Sequence, residues 1–325
     1  MGRPGVTMPS SSMQLATPTP EDIDRLAALA TEGVDAVALS FVRIADDIDV
    51  VRDLLGDSGL MLVAKIETAE AIEHLESIVQ SADAVMVARG DLGVRLPLED
   101  IPFLQKRIIR LGVRFGRPVI TATQMLESMT TSLTPTRAEV TDVANAVLDG
   151  TSAVMLSGET AIGIDPVNVV STMARIVERA ERDFDYANWG ATLGVQEVSD
   201  DLPLRRITAA ITGAAWRAAL EEDVVAIIAC TESGATARAI SRFRPSMPIV
   251  AITPNERTYR QLSMSWGVET LLSEHAADSD EDIWRALQES ISAGFASPGD
   301  VVVLIAGSPY ERETVADTLR IIRIP

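Results

Sequence analysis

Between residue 17 and about residue 180, short apolar runs alternate with longer stretches of mixed polarity. The apolar runs fall at residues 36–41, 60–66, 84–88, 118–122 and 153–156, and their length and continuity read as buried strands. Amphipathic stretches such as 69–80 and 98–112 separate them and read as helices. Helix starts are marked by Thr19-Pro20-Glu21-Asp22, by Thr136-Arg137-Ala138-Glu139, and by Asp165 before Pro166. Each combines a capping side chain with proline or acid in the first turn. Strands alternating with amphipathic helices predict βαβ units on a parallel sheet. Periodicity fades over 184–203, which reads as a linker. A second α/β pattern follows, with strands at 224–230, 248–253, 301–306 and 319–324 and a weaker one at 269–272. The chain therefore divides into residues 1–185 and residues 186–325.

Composition narrows the function. The 325 residues are 47% hydrophobic and 23% charged, a globular balance. A formal charge of -19 disfavours nucleic acid or an anionic membrane as the main partner, since both need a basic surface. No apolar run reaches 18 residues and no signal core follows the N-terminus, so the expected location is the cytoplasm. Cys230 is the single cysteine and reads as a small buried hydrophobe. With only His74 and His275 present, chemistry must run on carboxylates, lysine, hydroxyls or metal.

The chemistry-bearing residues cluster at the C-terminal ends of the first domain's strands. Lys65 and Glu67 are two residues apart on one strand and so face the same way. A lysine and a glutamate at inward strand positions need a partner or a ligand. Taken alone, a structural ion pair and a functional site explain them equally well. Asp91 ends the next strand, and two carboxylates at neighbouring strand ends can share a magnesium ion that completes its shell with water and substrate oxygens. Gly90 and Gly93 flank Asp91 and let backbone N–H groups approach an anion. Read without Lys65 and Glu67, the same four residues describe an ordinary turn. Thr123 and Ser157 stand at the last two strand ends, where each can donate to a phosphate or carboxylate or simply cap a helix. In the second domain, Thr231-Glu232-Ser233-Gly234-Ala235-Thr236 follows a strand and opens a helix. Thr231, Ser233, Gly234 and Thr236 offer hydroxyls and N–H groups to a phosphate, or form a capped βα turn.

Four segments in order resemble the pyruvate kinase family: Val63-Ala64-Lys65-Ile66-Glu67, Met86-Val87-Ala88-Arg89-Gly90-Asp91-Leu92-Gly93, Ile120-Thr121-Ala122-Thr123-Gln124, and Met155-Leu156-Ser157-Gly158-Glu159-Thr160. Pro135-Thr136-Arg137-Ala138-Glu139 and Asp142-Val143-Ala144-Asn145 continue the likeness, which runs from about Gly5 onward. The resemblance implies an α/β fold: the later part of a (β/α)8 TIM barrel, then a smaller α/β domain with a mainly parallel sheet. It implies the glycolytic transfer of phosphate from phosphoenolpyruvate to ADP, giving pyruvate and ATP. Lys65 would stabilise the moving phosphoryl group, and Glu67 and Asp91 would bind Mg2+ or Mn2+. Gly90 and Asp91 would hold the substrate carboxylate, while Thr123 and Ser157 would serve protonation of the enolpyruvate. The turn from Thr231 to Thr236 would receive a phosphorylated effector, whose identity stays open. The family assembles as a homo-oligomer, a tetramer by resemblance.

The same resemblance places three earlier strands, a lid domain, the potassium ligands and most of the nucleotide site outside this sequence. The segment Met1-Gly2-Arg3-Pro4-Gly5-Val6 resembles the connection leaving that lid. Five strands cannot close an eight-stranded barrel, so the expectation is a fragment with open edges, self-association and much reduced activity. The alternative is a non-catalytic effector-binding or oligomerisation module. A barrel aldolase or mutase is a distant third.

Overall fold

The computed structural model describes residues 18–29, 32–195, 203–273, 280–307 and 316–325. The chain divides into two units, Met1–Arg182 and Asp183–Pro325. The segment Met1 to Val6, residues 196–202 of the expected linker, and His275 lie outside the described residues.

In the first unit five strands form one sheet: β1 (Ala36–Leu39), β2 (Met61–Ile66), β3 (Ala84–Ala88), β4 (Val119–Ala122) and β5 (Ala153–Val154). They lie in chain order and every neighbouring pair is parallel. A doubly wound sheet reverses its strand order at a switch point; a sheet that advances in one direction is the winding of a (β/α)8 barrel. Helices run between the strands: α1 (Pro20–Leu29) before β1, α2 (Asp46–Leu55), α3 (Ala69–Glu73) and α4 (Leu75–Ser81), α5 (Arg89–Arg95) and α6 (Ile101–Arg114), and α7 (Arg137–Leu148). After β5 come α8 (Gly158–Ala161) and α9 (Pro166–Glu181). β2 and β3 are buried apolar runs because helices cover a parallel sheet. Gly112 of α6 shows how close that cover is: a Cβ there would sit 2.2 Å from a Val119 methyl of β4.

Local sequence explains several helix starts. Thr68 caps α3 by accepting from Ala71 N–H at 3.0 Å. Asp165 caps α9 through Asn168 N–H, with Pro166 at its first position. Thr136 and Glu139 form a reciprocal capping box at the start of α7. Three expectations change. The helix expected over 69–80 breaks at His74, which leaves the helical backbone region at ψ 18°. Gly90 and Gly93 lie inside α5 rather than in an open turn. Tyr186–Val195 of the expected linker is a helix, α10.

The second unit holds α11 (Pro203–Glu221), β6 (Ala226–Cys230), α12 (Ala235–Ser241), β7 (Ile249–Thr253), α13 (Glu256–Gln261), β8 (Val268–Leu272), α14 (Asp280–Ser292), β9 (Val301–Gly307) and β10 (Ala316–Arg323). Its sheet order is β10-β9-β6-β7-β8, parallel except for the antiparallel edge strand β10. β6 and β7 are buried along their full length. Ile227 and Ala229 pack with Ala215, Ala219, Ala237 and Ile240 of α11 and α12 on one face. Ala226, Ile228 and Cys230 pack with Ile283, Ala286 and Leu287 of α14 on the other. Cys230 is therefore a core residue, as read from its run.

α10 belongs to this unit and is anchored by aromatic contacts. Trp189 donates its indole N–H to the Arg242 carbonyl at 2.9 Å. Gly190 lets the helix reach Trp216: a Cβ there would fall 2.2 Å from the indole ring. The buried guanidinium of Arg244 lies 4.9 Å from the Phe184 ring, 5.6 Å from Trp189 and 4.9 Å from Trp266. Arginine stacks on rings more readily than lysine because its planar cation is weakly hydrated.

Candidate functional site

The sheet register of the first unit brings the four motif segments to one end. Lys65 stands beside Met86, Ala88 beside Ala122, and Thr121 beside Val154. Glu67, Arg89, Thr123 and Ser157 then leave at or just past the C-terminal ends of β2 to β5. This is the end at which barrel enzymes keep their chemistry.

Lys65 and Glu67 form an ion pair, Nζ to Oε1 at 2.6 Å, with Glu67 1% exposed and Lys65 25% exposed. Lys65 Nζ also donates to Ser40 Oγ at 2.8 Å. Glu67 Oε2 accepts the backbone N–H of Phe41 at 2.7 Å. Glu67 Oε1 has no aligned hydrogen-bond partner, so charge alone holds Lys65 against it. Phe41 is held at φ 57°, a left-handed conformation that non-glycine residues avoid. The guanidinium of Arg95, at the end of α5, lies 5.3 Å from the Phe41 ring.

A second network fixes the turn after β4. Thr123 and Gln124 are consecutive left-handed residues, at φ 69° and 55°. Arg89, the first residue of α5, donates to the Thr123 carbonyl at 2.6 Å and to the Ala122 carbonyl at 3.3 Å. It also pairs with Asp142 of α7, at 2.7 and 2.6 Å to the two carboxylate oxygens. Gly90 N–H donates to Thr123 Oγ1 at 2.8 Å, and Thr123 Oγ1 donates to the Ala122 carbonyl at 2.6 Å. The expected substrate contacts of Gly90 and Thr123 are thus one hydrogen-bonded unit. Asp91 is exposed in the first turn of α5. Ser157 is exposed and makes no side-chain cap to α8.

A third carboxylate joins the last two strand ends. Glu159, 1% exposed, accepts Leu126 N–H at 3.1 Å and Ser157 N–H at 2.7 Å. Next to it, Glu139 accepts from Ser128 N–H at 2.7 Å and from Thr136 N–H at 2.7 Å, together with both hydroxyls. Burial alone raises the Glu139 pKa. The Ser128 and Thr136 hydrogen bonds outweigh it and hold the carboxyl below its ordinary 4.5.

Among the described residues, no group of three or more His, Cys, Asp or Glu converges as a closed metal cage. The donors that the sequence assigned are two carboxylates, Glu67 and Asp91, at adjoining strand ends. Magnesium fits such a set, since it accepts one or two protein carboxylates and takes its remaining oxygens from water and phosphate. The unaligned Oε1 of Glu67 is a hard oxygen of the kind it requires.

The second unit's turn is organised differently. Thr231 Oγ1 accepts Gly234 N–H at 3.0 Å, and Ser233 Oγ accepts Ala235 N–H at 3.4 Å. Gly234 is left-handed at φ 78°, where a Cβ would approach an Arg238 nitrogen at 2.8 Å. Thr236 is 7% exposed inside α12. These are the bonds of a capped βα turn.

Sequence reasoning assigned no role to Ser40, Arg89 or Glu159. Arg89 and Glu159 sit inside motif segments, and charged residues flanking strand ends were the available signal. Ser40 carries no signal beyond its place after an apolar run.

The family model described as the pyruvate kinase barrel domain matches residues 1–170, and the one described as the pyruvate kinase alpha/beta domain matches residues 209–322. A pyruvate kinase of Clostridium acetobutylicum is 40% identical over 323 residues, covering 98% of this chain and 66% of its own length. A pyruvate kinase of Sporosarcina psychrophila is 41% identical over 320 residues, covering 98% and 54%. Pyruvate kinase 2 of Synechocystis is 44% identical over 306 residues, covering 94% and 50%. The chain spans between half and about two thirds of the length of these relatives. Two consecutive domain matches, on the two units into which the chain folds, leave one assignment: this chain belongs to the pyruvate kinase family.

Proposed function

We propose that the first unit carries a phosphotransfer site that takes the phosphoryl group of phosphoenolpyruvate to ADP, yielding pyruvate and ATP. One observation carries the reading: the Lys65–Glu67 pair, with its carboxylate buried and its ammonium partly exposed, stands at the same sheet end as Asp91, Thr123 and Ser157. Phosphoryl transfer is mostly positioning and charge neutralisation. Lys65 faces the phosphoryl group with a fixed positive charge. Glu67 and Asp91 hold Mg2+ or Mn2+, which when bound neutralises phosphate oxygens. Backbone N–H groups in the first turn of α5, at Gly90 and Asp91, bind the substrate carboxylate, since the first N–H groups of a helix have no partner within it. Thr123 accepts the Gly90 N–H at present, so substrate shares or replaces that bond. Thr123 and Ser157 belong to the route that delivers a proton to the enolpyruvate.

Potassium, the nucleotide's base and ribose, and the phosphate-gripping arginine are assigned to parts of the family's site outside these motifs. Among the described residues no helix is long and apolar enough to cross a membrane. With a charge of -19 the reading is completed by a cytoplasmic setting, association into a homo-oligomer and no nucleic-acid partner. The test is pyruvate formation from phosphoenolpyruvate and ADP with Mg2+ and K+, beside Lys65→Met. Turnover that disappears in Lys65→Met supports the reading. Absence of turnover from a folded sample leaves a fragment of the phosphotransfer site or a non-catalytic module that binds a phosphorylated effector at the turn from Thr231 to Thr236.

A further inference from the structure

We propose that Ser40 is a positioning residue that keeps Lys65 in place when a divalent cation takes its position on Glu67. The proposal rests on the phosphotransfer reading above. Four atoms define it. Glu67 Oε2 is committed to Phe41 N–H at 2.7 Å, so Oε1 is the oxygen left for a metal. Lys65 Nζ occupies that oxygen's surroundings at 2.6 Å, without hydrogen-bond alignment. The aligned hydrogen bond of Lys65 goes instead to Ser40 Oγ, at 2.8 Å.

The ammonium is therefore an internal cation standing at the metal's ligand. Two positive charges at Oε1 repel each other at contact distance, so each weakens the other's hold on the glutamate. Metal binding displaces Lys65 from Glu67. Without a second anchor, a four-carbon side chain released from its counter-ion disperses over its rotamers. Ser40 supplies that anchor, from the strand end beside β2. The anchor is itself fixed: Phe41, the next residue, is pinned at φ 57° by the other oxygen of the same glutamate. Lys65 thus pivots about Ser40, and its charge becomes available to the phosphoryl group when the metal arrives.

The experiment is a double-mutant cycle on Mn2+ binding, read by electron paramagnetic resonance of free Mn2+ with the full chain and no substrate. Ser40→Ala is expected to weaken Mn2+ binding roughly tenfold, the value of one hydrogen bond to a charged group. Lys65→Met is expected to tighten Mn2+ binding by removing the competing cation. In the Lys65→Met background, Ser40→Ala is expected to have no effect beyond about twofold. Ser40→Thr, which retains the hydroxyl, is expected to restore the original affinity. Equal weakening in both backgrounds overturns the proposal, because Ser40 then acts on the metal or the fold and not through Lys65. No weakening in either background overturns it as well. Mn2+ binding that ignores Glu67→Gln is a separate result: it removes the metal site and the phosphotransfer reading with it.

Discussion

The two units each present hydroxyls at the C-terminal end of a buried parallel strand, yet they tie them down in opposite ways. In the second unit the Thr231 and Ser233 hydroxyls accept N–H groups two or three residues onward, from their own turn, while the Glu232 carbonyl between them accepts from Thr258 of α13, 26 residues on. In the first unit the bonds cross between elements. Glu67 holds Phe41 across 26 residues, Arg89 holds Thr123 across 34, and Glu159 holds Leu126 across 33. Local bonding satisfies a helix end and asks nothing of the tertiary fold. Long-range bonding holds left-handed residues at Phe41, Thr123 and Gln124, a conformation that costs about 1–3 kcal/mol each and persists only where surroundings enforce it. A motif's composition does not separate the two cases; the left-handed non-glycine residues that the first unit's turns must hold do, where the second unit's turn uses Gly234.

The comparison can be broken at its strongest point first. Lys65→Met is expected to lower pyruvate formation roughly a thousandfold, the scale of losing one preorganised charge at a reacting group. Arg89→Met is expected next, at about 2 kcal/mol of stability, because it strips the Thr123 carbonyl and Asp142 of their partner while Asp142 keeps some water. Urea unfolding followed by far-ultraviolet circular dichroism measures it, and an unchanged midpoint contradicts the claim that Arg89 holds the turn.

Glu159→Gln keeps the shape but turns an amide toward one of two N–H groups. About 1–2 kcal/mol of local protection is expected to disappear, read as faster amide exchange at Leu126 and Ser157. Acid acts at Glu139. Its folded pKa is depressed by Ser128 and Thr136, so its contribution is present above the ordinary value of 4.5 and is lost as pH falls below it. Glu139→Gln is expected to flatten that acid limb of a stability profile, and an unaltered limb counts against the assignment. The smallest effect belongs to Thr231→Ala. About 1 kcal/mol or less is expected from a lost cap, with turnover unchanged. A larger loss, or a change in turnover, erases the contrast between the two turns.

Much of this was legible from the chain. The inner strands β2, β3 and β4 are short, mostly apolar runs because helices cover a parallel sheet, and the helix starts at Thr136 and Asp165 carry their own caps. Lys65 and Glu67 stood out as charges on a buried strand. α10 was not legible, since Tyr186-Ala187-Asn188-Trp189-Gly190-Ala191 has no polar face to give a helical period. Its helix is fixed by Trp189 and Trp216 from outside the segment. Gly90 and Gly93 read as a turn because glycine weakens helices, but the Arg89 network overrides that preference. Ser40 was invisible because its importance comes from a lysine 25 residues away.

The aromatic cage around Arg244 has an optical consequence. All four tryptophans and all three tyrosines of the chain lie at or beyond Tyr186. Tryptophan and tyrosine absorbance and emission therefore come entirely from the second unit, and the first contributes only the weak bands of its phenylalanines. Trp189 and Trp266 face the same guanidinium, so their emission reads the packing of that cage. Tryptophan emission is therefore a label-free probe of the second unit's packing.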